Sequence, residues 1–125
     1  VVTEMGKAAK ILEWAVTKME ERYELLKEAG VRDIKSFNAL GDDELVARLT
    51  TVRGIGPWTV HMLLIFNLGR PDVMPTGDYA VRLAFQRLHR KRKEPTPEAI
   101  LKHSRRWQPW RSVASWYLWR SLDLE

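Results

Sequence analysis

The chain has 125 residues, 45% of them apolar, a net charge of +5 and no cysteine. That length suits one domain with a modest core, and the lack of cysteine excludes disulfides, thiolate zinc sites and a cysteine-ligated iron–sulfur cluster. No apolar run approaches the ~20 residues of a membrane span, and Val1-Val2-Thr3-Glu4 carries no secretory pattern, so the expected location is cytoplasmic or nuclear, not secreted.

In chain order, Lys7 to Ala29 places Ile11, Leu12, Ala15, Val16, Met19, Tyr23 and Leu26 at a helical rhythm with charges between them, and Gly30 follows as a stop. Trp14 reads as packing. Val31 to Leu40 reads as a connector that tucks Ile34, Phe37 and Leu40 inward. Asp42 to Leu49 reads as a short amphipathic helix with acids in its first turn, where the dipole favours them. Pro57 suits the first turn of the next helix, whose residues Trp58 to Gly69 are apolar apart from Thr59, His61 and Asn67.

Gly69 ends that helix, and Arg70 to Pro75 is a loop with two prolines. Asp78 opens a helix from Tyr79 to about His89. Thr96-Pro97-Glu98 supplies an N-cap, a proline at the first position and an acid in the first turn of a helix running to about Trp107. Pro109 is expected to start the last helix, with Val113, Trp116, Tyr117 and Trp119 on it. No strand-like alternation occurs, so the fold class is all-α: a helical bundle containing a helix–hairpin–helix. It is read as a single helical domain, residues 1–125: an N-terminal helix and connector at 1–40, the hairpin pair at 41–69, and a loop with C-terminal helices at 70–125.

Charge is uneven. Residues 1–50 hold ten acids and eight bases, whereas 82–111 hold ten bases and two acids. A one-sided basic segment is the footprint of a polyanion-binding surface, and equally the composition of a solvated helix face. Between the hairpin helices, Arg53-Gly54-Ile55-Gly56-Pro57 sets two glycines where the backbone must turn and approach another group closely. The free amides of such a turn and helix start suit an anion such as a nucleic-acid phosphate, although a bare Gly-x-Gly also serves as a tight helix–helix turn. Histidines 61, 89 and 103 lie at no metal-ligand spacing, and no metal site is expected.

The run Val52-Arg53-Gly54-Ile55-Gly56-Pro57-Trp58-Thr59, then Leu68 to Val73, then Pro75-Thr76-Gly77-Asp78, resembles the helix–hairpin–helix and Gly/Pro-Asp loop of base-excision DNA glycosylases. Within that superfamily it is most similar to the 3-methyladenine DNA glycosylase II type. Arg106 to Ser112 and Trp116 to Trp119 resemble that branch's C-terminal helix. The resemblance implies a monofunctional glycosylase that hydrolyses the N-glycosidic bond of alkylated purines in double-stranded DNA, in the nucleoid or the nucleus. It implies Asp78 as the catalytic carboxylate, activating water or stabilising an oxocarbenium-like state. By its position alone, Asp78 reads as a helix cap, and it is the resemblance that makes it the catalytic candidate.

Trp58 and Trp119 match aromatic positions of the alkylbase pocket, where a cationic purine gains from stacking and cation–π contact. Tyr79 is a further candidate, and Met62 stands where a tyrosine occurs in relatives. Trp58 also stands where bifunctional relatives carry a Schiff-base lysine, so no lyase chemistry is expected. Trp107, Trp110 and Trp116 are expected in the core, with Trp110 and Arg111 tying the last helix to the hairpin unit. Arg53, Gly54, Gly56, Thr59, Arg90, Lys91, Arg92 and Lys93 are the expected phosphate contacts. No cofactor is expected beyond a monovalent cation at the hairpin carbonyls.

The family's proteins are longer, and the chain is expected to lack their upstream helices, as a fragment or an engineered minimal form. A missing helical segment or a second copy, as a homodimer, would then complete the cleft. The competing readings are a catalytically inactive helix–hairpin–helix DNA-binding module and a purely structural bundle.

Overall fold

A computed structural model describes residues 5–28, 30 and 34–123. The described residues are helices and turns with no strand, so the fold is all-α. Among them no helix is long and apolar enough to cross a membrane. By its internal contacts the chain divides into two compact units, Val1–Ile55 and Gly56–Glu125.

The first unit holds α1 (Met5–Glu28), α2 (Ile34–Ala39) and α3 (Asp42–Leu49). α1 ends as the sequence suggests: Gly30 has φ +71 and its amide reaches the Lys27 carbonyl at 3.0 Å. Its apolar stripe is another matter. Ile11, Leu12, Val16, Met19 and Tyr23 are exposed, as is Trp14 at 64%, so the expected packing of Trp14 is not observed. A 3.6-residue rhythm shows that a helix has an apolar face, not that anything covers it. Where a connector was expected, Ile34–Ala39 forms the short helix α2, with Phe37 and Leu40 half-buried; positions 29 and 31–33 and the side chain of Ile34 lie outside the described residues.

α3 carries Asp42, Asp43 and Glu44 in its first turn, pairs Arg48 with Glu44 and buries Leu45 and Leu49. Its end is closed by side chains. The Thr50 and Thr51 hydroxyls donate to the Val46 and Arg48 carbonyls, each at 2.7 Å. The turn that follows closes with Ile55 N–H donating to the Val52 carbonyl at 3.0 Å, and Gly54 has φ +90, a backbone that favours glycine. Gly56 has φ −101, so its place requires no left-handed backbone; it is the N-cap of the next helix.

The second unit holds α4 (Pro57–Met62), a π-helical turn (Leu63–Asn67), α5 (Tyr79–Leu88), α6 (Pro97–Ser104), a 3₁₀ turn (Arg105–Trp107) and α7 (Arg111–Leu122). Its core joins Met74, Val81, Ala84, Phe85, Ile100 and Leu118, with Trp107, Ala114, Trp119 and Leu122 packed around them. α6 starts as expected, the Thr96 hydroxyl accepting the Ala99 amide at 3.2 Å with Pro97 in the first turn.

α7 begins at Arg111, not Pro109, because its first amides find partners in the loop after the π turn. Arg111 N–H donates to Asp72 Oδ1 at 3.2 Å and Ser112 N–H to the Pro71 carbonyl at 3.0 Å. The Arg111 guanidinium also grips the Asp72 carboxylate, Nε to Oδ1 at 2.7 Å and Nη2 to Oδ2 at 2.9 Å, which holds Asp72 below the usual carboxylate range despite the opposing cost of burial. Arg111 therefore ties α7 to the loop. Trp110, expected to help it, is 61% exposed, and Trp116 is exposed as well; only Trp107 of the three takes a core position.

The sequence reading left the histidines scattered, yet the fold brings two of them together. His89 Nδ1 lies 3.0 Å from the Phe85 carbonyl and so carries a proton there, and its Nε2 lies 3.1 Å from His103 Nε2. Only one proton fits between the two rings, so the neutral pair has His103 donating to His89. Phe85 stacks on His89 at 4.1 Å between centroids and meets His103 edge-on at 5.0 Å, which fastens α6 to the end of α5. Among the described residues no group of three or more metal-ligating side chains forms.

Burial lowers the His103 pKa, and electrostatic repulsion from Arg106, from a proton shared with His89 and from Lys91 lowers it further. A histidine whose folded pKa is depressed adds stability above its unfolded value near 6.5 and loses it as pH falls through the folded value. The melting temperature should therefore decline as pH drops from 7 toward 5, and less so in His103→Gln. Equal declines in both proteins would show that the pair does not titrate as described.

Candidate active site

Among the described residues Asp78 is the one acidic residue that the fold buries, at 8% exposure. Its place at the start of α5 makes it a cap, with Oδ1 accepting the Val81 amide at 2.8 Å. The same oxygen accepts the Trp119 indole N–H at 3.0 Å, and Oδ2 accepts the Trp58 indole N–H at 2.6 Å. Burial pushes the Asp78 pKa up, but the two indoles and the Val81 and Ala80 amides outweigh it and hold the carboxyl below its ordinary value. The group is a sequestered carboxylate whose hydrogen-bond donors favour the ionised form.

Three elements supply this cage, and each has a local reason for its position. Pro57 starts α4 and sets Trp58 in its first turn. The loop Arg70–Gly77 delivers Asp78, and α7 pins that loop. Ser112 Oγ donates to the Arg70 carbonyl at 2.6 Å and accepts the Val73 amide at 2.9 Å. Ser115 Oγ lies within reach of the Arg111 carbonyl at 2.8 Å and the Val73 carbonyl at 3.3 Å. Serines at 112 and 115 and the indole at 119 share one face of α7 at helical spacing, so the face that holds the loop also aims Trp119 at its end.

The aromatic side chains at and next to the buried charge are partly open to solvent. Trp58 is 49% exposed, Tyr79 66% and Phe66 62%, and Phe66 stacks on Trp119 at 5.6 Å between centroids with 24° between planes. Met62 follows Trp58 by one helical turn and is half-buried. Of the residues expected at a base pocket, Trp58 and Trp119 therefore meet at Asp78, Tyr79 adjoins it in the chain, and Met62 lies on the helix of Trp58. Sequence reasoning missed Phe66, Asp72, Ser112 and Ser115. A phenylalanine in an apolar helix and serines in a C-terminal one gave no signal, because their partners lie far off in sequence.

The expected phosphate contacts are spread out. Arg53 and Gly54 are exposed in the first unit; Gly56 and the exposed Thr59 lie at the start of α4 in the second. Arg90 to Lys93 form an exposed basic loop at the far end of α5 from Asp78. With ten residues in α5, the two ends are about 15 Å apart. Arg90 takes a left-handed φ of 49, and the Lys91 amide donates to the Gln86 carbonyl at 2.9 Å, so the loop is built onto the helix end.

If the indoles set the charge of Asp78, Trp119→Phe should keep the ring and lose the donor. The Asp78 carboxyl, followed by carbon NMR, should then titrate closer to the ordinary carboxylate value. An unchanged titration would remove Trp119 from the charge balance.

Known proteins resemble the chain over about two thirds of its length. The chain is 51% identical over 85 residues to DNA-3-methyladenine glycosylase 1 of Schizosaccharomyces pombe, a match covering 68% of this chain and 37% of that protein. The solved structure of the 3-methyladenine DNA glycosylase Mag1 of the same yeast, in complex with abasic DNA, matches with a TM-score of 0.66 and 49% identity over 69% of this chain and 42% of the other. The chain thus spans well under half the length of these relatives. A second likeness was not foreseen: the FtsK/SpoIIIE family model matches residues 1–96, and 38 residues are 53% identical to DNA translocase FtsK 1 of Neisseria meningitidis, 30% of this chain and 5% of that one. The chain belongs to the helix–hairpin–helix 3-methyladenine DNA glycosylase family and, through the match over residues 1–96, to the FtsK/SpoIIIE family as well.

Proposed function

We propose that the chain is a monofunctional DNA glycosylase of the 3-methyladenine type, acting on alkylated purines in duplex DNA of the nucleoid or nucleus. The observation that carries this reading is the buried Asp78 carboxylate held by two indoles, one of them stacked on Phe66. A flipped alkylpurine carries positive charge and stacks on Trp58, Tyr79 and the Phe66–Trp119 pair, with Met62 lining one side. As the C1′–N bond breaks, its electron pair leaves with the base and neutralises it, and the positive charge passes to the sugar. Asp78 stabilises that oxocarbenium-like sugar until water adds at C1′ and gives up its proton.

Arg53, the turn amides of Gly54 and Gly56, Thr59 and the Arg90–Lys93 loop take backbone phosphates without reading sequence. No organic cofactor enters the step. The Val52 carbonyl, which accepts one amide, keeps a lone pair that would suit a monovalent cation at the hairpin.

The exposed turn at Gly54 and the exposed Arg90–Lys93 loop suit a second reading as well: a catalytically inactive helix–hairpin–helix DNA-binding module. One assay separates them. Methylated duplex should release 3-methyladenine or 7-methylguanine with the parent chain, and Asp78→Asn should slow release by about 100-fold or more with duplex binding kept. Binding without release by the parent would leave the module, and equal loss of binding and release in the variant would unseat Asp78.

The low pKa of Asp78 adds a second expectation. A carboxylate already ionised in the enzyme gives single-turnover release no acidic limb between pH 8 and 5. A rate that falls through pH 6 would assign a different titrating group.

A further inference from the structure

We infer that α1 supplies a second phosphate seat beside the hairpin turn, in which Arg22, assisted by Lys18, joins Arg53 and Gly54 to hold a backbone phosphodiester of duplex DNA. The inference rests on the DNA-binding reading above and goes beyond it, since α1 has so far had no part in it.

All of the seat lies within the first unit. A recess of about 430 Å3 is lined by Lys18, Glu21, Arg22, Leu25, Arg53 and Gly54. Glu21 is spent on Lys18, at 2.6 Å. Among the described residues no ion pair or side-chain hydrogen bond engages Arg22 or Arg53, so two guanidiniums face one opening without a counter-charge. Like charges that share a recess make its potential positive and favour an anion over any other occupant.

The backbone points to the same ligand. Gly54 has φ +90, and the nearest atom to the Cβ it lacks is Arg22 Nη2, at 3.8 Å. The Arg22 guanidinium thus lies against a turn with no side chain in the way. Among the described residues the Arg53 and Gly54 amides donate no hydrogen bond. Unpaired turn amides beside two planar guanidinium forks match the oxygens of a phosphate, which accepts from both kinds of donor at once. Leu25 makes one wall apolar, and Lys18, one helical turn before Arg22, holds the Glu21 carboxylate and so leaves the guanidiniums unpaired.

The full chain tests this by fluorescence anisotropy with a duplex over 50–200 mM salt. Removing one phosphate contact should lower the salt slope by about 0.9 and the affinity by roughly three- to tenfold. Arg22→Gln is expected to do both, Arg22→Lys to recover the slope, and Arg92→Gln serves as the measure of a contact outside the recess. An Arg22→Gln protein with unchanged slope beside an Arg92→Gln protein with a reduced one overturns the seat and keeps the DNA reading. Tighter binding by Arg22→Gln also overturns it, since α1 would then be screening the turn. No duplex binding by the parent overturns both. Finally, inorganic phosphate at matched ionic strength should compete no better than chloride; displacement of duplex by submillimolar phosphate, lost in Arg22→Gln, would assign the recess to free phosphate and overturn the duplex assignment.

Discussion

A carboxylate at 8% exposure carries a charge that water scarcely reaches, and the second unit is arranged so that Asp78 can keep it. Left alone, such a group would take up a proton. The Trp119 and Trp58 indoles and the Val81 amide reach it from α7, α4 and its own helix, so three elements converge on two oxygens. Each donor is neutral, so the cage keeps the charge without cancelling it. A lysine or arginine there would hold the anion more tightly and leave it less able to attract a developing cation.

That convergence depends on a loop that cannot be allowed to drift. Asp72 and Arg111 form a bidentate pair across 39 residues of chain, and the same carboxylate closes the first amide of α7. Ser112 and Ser115 are small enough for the loop backbone to lie directly on the helix, and each serves it with a hydroxyl. A helix end and a loop thus satisfy each other's backbone groups, which would otherwise be unpaired near a buried site. Larger residues at 112 or 115 would lift the loop from α7 and carry Asp78 away from the Trp119 indole.

What was legible in the chain was what neighbours decide. The acids of α3, the Thr96-Pro97 start, the Gly30 stop and Asp78 as the opening of α5 are signals within one turn of helix, and all stand in the fold. Asp78 was found as a site only because a recognisable motif surrounds it. The indole bonds span 20 and 41 residues and the Asp72–Arg111 pair 39, and no periodicity encodes a partner at such distance. Tryptophan count misled in the other direction: apolar side chains suggested a core for Trp14, Trp110 and Trp116, and the fold leaves all three exposed. The rhythm of α1 likewise showed a helix but not whether its apolar face is covered.

The low pKa of Asp78 bears on which of its two chemical roles is the stronger. A general base must bind a proton in the transition state, and its efficiency falls as its pKa drops below the working pH. Asp78 is shifted in that direction by the groups that position it. Stabilising an oxocarbenium-like sugar has no such requirement, since it asks only for a fixed negative charge in a place where water does not screen it. An alkylated purine is already cationic and departs without help from an acid, so no second titrating group is needed either. The cost appears elsewhere: hydrogen bonds that keep the carboxylate ionised also draw its electron density toward the indoles. The enzyme reading therefore pairs a modest electrostatic catalyst with a substrate chosen for its good leaving group, and an uncharged purine would find the same carboxylate far less effective.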